Sequence, residues 1–168
     1  MKDIILIGGA EGTGKSTLTK QLAARFGVPW ISTDQIRTIL QITEPDEAKR
    51  QALVWAGLAA LVRAPHPWDG AVIEGTAILP EFVKRDLADI TYVKPIFLVQ
   101  EDESKIAQIV LDRSKLPFIK TKTPEQQAAK VQKLTADNRA LKETAKTHGY
   151  PCIPAHDEKT FELALQLL

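Results

Sequence analysis

Near its start the chain reads IILIGGAEGTGKST, an unbroken aliphatic run from Ile4 to Ile7 followed by Gly9-Ala10-Glu11-Gly12-Thr13-Gly14-Lys15-Ser16, the spacing G-x4-G-K-S. A short apolar run without a polar interruption, ending in glycines, is the pattern of a strand buried on both faces, as in a parallel sheet. A helix is predicted directly behind it, over about Lys15–Phe26, with Gly27 as its stop. Strand, glycine loop and helix in that order bring backbone N–H groups and the positive end of a helix to one point, which is what a phosphate group needs. The pattern therefore predicts a nucleotide-phosphate site made by Gly9, Gly12, Thr13, Gly14, Lys15, Ser16 and Thr17. Lys15 is expected to reach the β- and γ-phosphates, and Ser16 to offer an oxygen to Mg²⁺.

The rest of the chain repeats the alternation. Strands are predicted at Val28–Ser32, Ala71–Glu74, Lys94–Gln100 and Tyr150–Ile153. Helices are predicted at about Gln35–Gln41, Pro45–Arg63, Pro80–Ala88, Asp102–Arg113 and Asp157–Leu168. One more helix opens at Thr123-Pro124 with Gln126 three residues after the cap, carries the apolar stripe Val131, Leu134, Leu141 and Ala145, and ends at Gly149. Strands alternating with helices imply right-handed crossovers, hence a three-layer α/β/α fold on a five-stranded, mostly parallel sheet. The 168 residues read as one domain, with the polar, Pro-containing stretch 114–123 as a flap between two helices.

Composition narrows the partners. Lys+Arg number 22 against 21 Asp+Glu, a balance that argues against coating long nucleic acid or an anionic membrane. The longest apolar run, Ala52–Val62, has eleven residues and reads as a buried helix rather than a membrane span. The apolar start is broken by Asp3 and Glu11 and runs straight into the glycine loop, so it does not read as a signal peptide. A single cysteine, Cys152, excludes an intrachain disulfide and suits a reducing cytoplasm. Oligomeric state has no sequence signal.

In open α/β sheets ligands sit beyond the carboxyl ends of the strands, so residues just after each strand are the candidates for chemistry. Asp34 and Arg37 follow the second strand, three apart at a helix start, and pair a carboxylate with a cation on one face. Asp34 can accept a hydroxyl proton or cap the helix; Arg37 can hold an anion or lie in solvent. Glu74 ends the third strand, where a carboxylate can bind Mg²⁺ through a water. Arg113 lies three residues after Val110, on the inward face of its helix, where a cation can meet a transferring phosphate. Lys120 and Lys122 are weaker candidates in the flap. His66, His148 and His156 have no metal-ligand spacing, and Cys152 reads as a small buried apolar residue.

With these residues in view, the chain resembles the P-loop kinases of the adenylate-kinase-like group, and above all the 2-phosphoglycerate kinase-like proteins. The segments that carry the resemblance are GGAEGTGKST, ISTDQIR, VIEGTAILP and LKETAKTHGYPCIP, which span nearly the whole chain in order. The resemblance implies a lid over ATP at Ser114–Thr123 with Arg113 as its phosphate-facing arginine, and a loop at Pro154–Asp157 lying along the adenine. It also implies Asp34 as the base and Arg37 as the clamp on the acceptor. Two departures mark this chain: Ala77 stands where such proteins often have His, and the lid is rich in lysine rather than arginine. The expected activity is transfer of the γ-phosphoryl of ATP, with Mg²⁺, to a small hydroxylated and anionic acceptor. A nucleotide, nucleoside or polynucleotide-end kinase and an ATP-binding protein without turnover are the alternatives. The lack of NKxD and DxxG elements argues against a GTP switch.

Overall fold

The computed structural model describes residues 2–65, 68–114 and 123–168. The described strands are β1 (Ile4–Gly9), β2 (Trp30–Ser32), β3 (Ala71–Glu74), β4 (Val93–Val99) and β5 (Cys152–Pro154), which form one parallel sheet in the order β2-β3-β1-β4-β5. The helices are α1 (Lys15–Phe26), α2 (Thr33–Leu40), α3 (Glu47–Arg63), α4 (Pro80–Asp86), α5 (Glu103–Ser114), α6 (Pro124–Thr147) and α7 (Thr160–Gln166). The three-layer α/β/α expectation is met.

Side chains of β1 alternate between two cores, as the period of a strand requires. Ile4 and Leu6 point to the side packed by Trp55, Leu58 and Val62 of α3, Val83 of α4, and Leu141 and Ala145 of α6. Ile5 and Ile7 point to the side packed by Leu18, Leu22 and Ala23 of α1 and Ala164 of α7. A third, small cluster of Ile106, Val110 and Leu134 joins α5 to α6, with Ala10 of the glycine loop packed against it. The register sets the site: Ile7 lies opposite both Glu74 and Ile96, and Ser32 opposite Glu74. The carboxyl ends of β1, β2 and β3 therefore finish side by side, and Glu74 sits at the common edge.

Differences from the sequence reading fall at element ends. β2 begins at Trp30 rather than Val28, β5 is shifted to Cys152–Pro154, α4 stops at Asp86, and α7 is the shorter Thr160–Gln166. The apolar run Ala52–Val62 is not buried throughout. Only the stripe Val54, Trp55, Leu58 and Val62 is, and Leu53 is half exposed, because a helix on one face of a sheet buries one side. The capping box at Thr123 is present, with Thr123 Oγ1 accepting from the Gln126 N–H at 3.3 Å and Gln126 Oε1 accepting from the Thr123 N–H at 3.0 Å. Within the expected flap, residues 115–122, including Lys120 and Lys122, lie outside the described residues, as does His66.

Candidate nucleotide and acceptor site

The glycine loop is shaped by backbone that only glycine adopts readily. Gly12 and Gly14 have φ of 81° and 78°, and Gly14 forms the left-handed N-cap of α1. The Ala10 carbonyl accepts from Thr13 Oγ1 at 2.9 Å and from Lys15 Nζ at 2.8 Å. The Ala10 carbonyl is thus engaged by donors of the loop itself, leaving N–H groups at the start of α1 for an anion. Lys15 is only 6% exposed. Burial pushes its pKa down; the charges of Glu74, Asp34 and Glu11 pull it partly back, and it stays below the ordinary lysine value.

Glu74, 1% exposed, accepts from Ser16 Oγ at 3.2 Å through Oε1, while its Oε2 is buried without a hydrogen-bond partner. A buried carboxylate oxygen with a free lone pair beside a serine hydroxyl is the donor set that a hydrated Mg²⁺ completes, so these residues fit that ion. Among the described residues no cluster of three or more His, Cys, Asp or Glu side chains forms an all-protein metal cage.

Next to Glu74, Gly75 makes a close approach that nothing larger permits. A Cβ there would lie 1.6 Å from Thr33 Oγ1. This contact seats the first residue of α2 on the end of β3 and brings Asp34 to the rim of the same cleft. Asp34 does not cap α2. The N-cap is Ser32, without a side-chain cap bond, and Asp34 stands exposed in the first turn, where the helix dipole favours a carboxylate. Of the two readings of Asp34, the cap is therefore corrected: the chain bends into the helix two residues earlier than the spacing suggests, at Thr33 rather than Gln35.

Two adjoining cavities open along this edge. The larger, about 720 Å³, is lined by Gly12, Gly14, Lys15, Ser16, Asp34, Glu74 and also Arg113 and His156. The second, about 490 Å³, has an apolar floor from Leu79, Pro80, Leu134 and Leu141 and a polar wall that includes Gln51, Lys130 and Lys133. Glu11, Arg37 and Thr76 border both. Arg37 is bonded to Glu47, which also bonds the buried Arg50. Burial works against charge on Glu47, but its bonds to Arg50 and Arg37 outweigh it and hold the carboxyl below the usual range. Arg113 is part-exposed rather than inward, because it turns one helical turn beyond Val110 toward the loop and pairs with Glu11 at 3.2 Å. Glu11 bonds Lys130 of α6 as well.

The structure thus gathers Lys15, Ser16, Glu74, Asp34, Arg37 and Arg113 around one cleft. Sequence reasoning passed over Glu11, Gly75, Lys130 and His156. Glu11 and Lys130 are 119 residues apart, and no local pattern announces their pairing. His156 falls in the loop Pro154–Asp157 that the resemblance lays along the adenine, but no contact of its own with the glycine loop is legible in the sequence. Its Nε2 lies 2.5 Å from the Gly12 carbonyl oxygen. Ala77, the departure in the third segment, is buried and is not among the residues that line these two cavities.

Comparison with known proteins agrees with this geometry. Residues 4–64 match the family model described as an AAA domain. The chain is 31% identical over 134 residues to the 2-phosphoglycerate kinase of Methanothermobacter thermautotrophicus, covering 60% of this chain and 44% of that protein. It is 24% identical over 180 aligned positions to the 2-phosphoglycerate kinase of Methanocaldococcus jannaschii, covering 89% of this chain and 57% of that protein. The chain therefore spans about half the length of these relatives. Among solved structures, a gluconokinase from Sinorhizobium meliloti 1021 superposes with a TM-score of 0.68 at 16% identity, over 99% of this chain and 91% of that one. A shikimate kinase from Bacteroides thetaiotaomicron superposes with a TM-score of 0.66 at 19% identity, over 98% and 94%. The chain shares the three-layer fold of these two kinases, and over part of its length it is similar in sequence to 2-phosphoglycerate kinases.

Proposed function

We propose that the chain is an ATP- and Mg²⁺-dependent phosphotransferase that moves the γ-phosphoryl group to the hydroxyl of a small anionic acceptor. The observation that carries this reading is the convergence of Lys15, Ser16 and the half-satisfied Glu74 at the carboxyl edge of the sheet, beside a second cavity roomy enough for another small molecule. A pure nucleotide-binding module has no use for that second chamber, bordered at its mouth by Arg37.

The roles follow from position. The N–H groups of the glycine loop and the start of α1, with Thr13 and Thr17, hold the phosphate chain, and Lys15 balances charge on its terminal groups. Ser16 and Glu74 are the residues that would hold Mg²⁺; when bound, the ion would neutralise charge on the phosphate oxygens. Asp34, at the rim of the nucleotide cavity, accepts the proton that the acceptor hydroxyl loses as the new P–O bond forms. Arg37, shared by both cavities, binds the acceptor's anionic group after leaving Glu47. Arg113 leaves Glu11 to meet charge on the transferring phosphoryl. The apolar floor of the second cavity excludes water that would otherwise compete as acceptor.

The test is a product screen with Mg·ATP and a panel of 2-phosphoglycerate, gluconate, shikimate and AMP, read by phosphorus NMR. Phosphorylation of one of the three hydroxy acids supports the reading. Phosphorylation of AMP alone makes the chain a nucleotide kinase, and ATP binding without any product makes it a binding protein.

A further inference from the structure

His156 stands apart from the groups assigned above. It is the one described non-glycine residue with positive φ, 55°, a conformation that side-chain-bearing residues adopt rarely and that persists only where surroundings enforce it. The enforcement is visible on both sides. The Ala155 N–H donates to the Val99 carbonyl at 2.8 Å, and the Ala155 carbonyl accepts from Gln100 Nε2 at 3.0 Å. Thr160 Oγ1 donates to the Pro154 carbonyl at 2.8 Å, and the same oxygen accepts from the Asp157 N–H at 3.1 Å.

Gln100 is held in turn. Its N–H donates to Asn138 Oδ1 at 2.8 Å, and its Oε1 accepts from the Asp102 N–H at 3.0 Å. Asn138 Nδ2 donates to the Leu134 carbonyl at 2.8 Å. Gln100 and Asn138 are 6% and 2% exposed, so these amides hold their partners without competition from water. The chain of bonds runs from α6, across the end of β4, into the loop after β5, and ends where His156 Nε2 meets the Gly12 carbonyl at 2.5 Å.

That end point is the glycine loop itself. A phosphate cradle works only if its carbonyls face away from the anion, since a carbonyl oxygen turned inward repels it. The Ala10 carbonyl is engaged by Thr13 and Lys15. The Gly12 carbonyl is engaged by His156, whose ring also packs against Gly14, with Cε1 3.5 Å from where a Cβ on Gly14 would sit. The geometry points to His156 as a positioning residue for the phosphate site: its Nε2–H holds the Gly12 carbonyl out of the cradle, and the buried Gln100–Asn138 pair fixes the loop that presents it. The inference rests on the nucleotide reading above and adds to it a residue outside the glycine motif, contributed by the far edge of the sheet.

The test compares two probes, Mg·ATP and Mg·tripolyphosphate, by calorimetry on the full chain. His156→Gly keeps the left-handed backbone at no steric cost and removes the donor. It is expected to melt close to the wild type and to bind both probes about tenfold more weakly, the loss of one hydrogen bond's worth of organisation. His156→Gln, which keeps an amide donor, is expected to recover much of that affinity. Gln100→Met is expected to weaken both probes in the same direction, and combined with His156→Gly to add little, because the two act through one contact.

A loss confined to Mg·ATP would make His156 a nucleoside contact and overturn the inference. So would a variant that binds as the wild type does, a His156→Gln no better than His156→Gly, additive effects of the two substitutions, or a fall in melting temperature that accounts for the binding loss. A wild type that binds neither probe overturns the nucleotide reading itself, and this inference with it.

Discussion

On the glycine-loop side of the cleft, Lys15 and Glu74 are 6% and 1% exposed, and their neighbours are backbone carbonyls and a serine hydroxyl. On the α2–α3 side, Arg37 and Glu47 are 38% and 55% exposed and hold each other. The first wall is made by main chain at the ends of buried strands. The second is made by long side chains at the surface, in pairs that water and salt weaken. The difference matches the tasks proposed for them. A triphosphate is the same in every turnover, and a rigid backbone cradle suits it. An acceptor must be chosen, and exposed ion pairs can open to admit one anion in preference to another.

The largest effect is expected from breaking the rigid wall at its buried cation. Lys15→Met should reduce Mg·ATP affinity by about a hundredfold or more, since charge-assisted bonds to phosphate are lost in a desolvated site. It should not reduce stability. The folded chain holds Lys15 below the ordinary lysine pKa, so at neutral pH this group burdens the fold, and the burden fades only as pH rises through the depressed value toward 10.5. Removing the charge removes that burden. Thermal melting of the ligand-free protein at pH 7 should therefore be unchanged or higher, and a marked fall would show Lys15 to be part of the structural core.

How much of this was legible in the sequence follows the same division. The rigid wall was readable because its signal is local: IILIGG is a strand, GTGKST is a loop and a helix start, and Glu74 ends a strand of four apolar-flanked residues. The sheet was legible for the same reason. The flexible wall was not. That Arg37 pairs with Glu47 depends on how α2 turns into α3, and that Glu11 gathers Arg113 and Lys130 depends on two helices far along the chain. Helix ends slipped by one or two residues, and this was enough to exchange Asp34 for Ser32 as the cap of α2.

Asp34 lies between the two walls, and its substitution sharpens the comparison next. Since it caps nothing, Asp34→Asn should leave melting nearly unchanged, apart from the few tenths of a kcal/mol or so that an exposed first-turn carboxylate draws from the helix dipole. ATP affinity should also hold. Phosphorylation of the acceptor found in the screen should fall about a hundredfold, the usual contribution of a positioned general base. Full activity in Asp34→Asn would move the search for a base to another carboxylate along the same edge.

A smaller effect is expected on the exposed wall. Arg37→Ala should raise the acceptor KM by about tenfold with kcat little changed, because a clamp that grips substrate and transition state alike contributes uniform binding. The ATP KM should not move. Steady-state kinetics with each substrate varied in turn decides it, and a fall in kcat at saturating acceptor would place Arg37 on the reacting group instead.

The smallest effect is a pH dependence carried by Glu47. Its carboxyl lies below the usual range because Arg50 and Arg37 bond it, against the opposing influence of burial. A carboxylate depressed in the folded state contributes stability that is fully present above its unfolded pKa, near 4.5, and is lost as pH falls through the lower folded value. Glu47 is more than half exposed, so the contribution is that of a surface pair, a few tenths of a kcal/mol up to about 1. Urea melts of wild type and Glu47→Gln should differ by this amount at pH 7 and converge as the pH is lowered below 4.5. Arg50, which is buried, keeps its bonds to the carbonyls of Glu44 and Pro45 in the variant, so the fold around α3 should hold. Among the described residues Arg37 has no such second anchor in the cleft wall, and it should be released. The same variant is therefore expected to bind an anionic acceptor slightly more tightly at pH 7, since the clamp no longer has to leave a partner. If Glu47→Gln weakened the acceptor instead, the pair would be what aims Arg37, and the exposed wall would be as pre-set as the buried one.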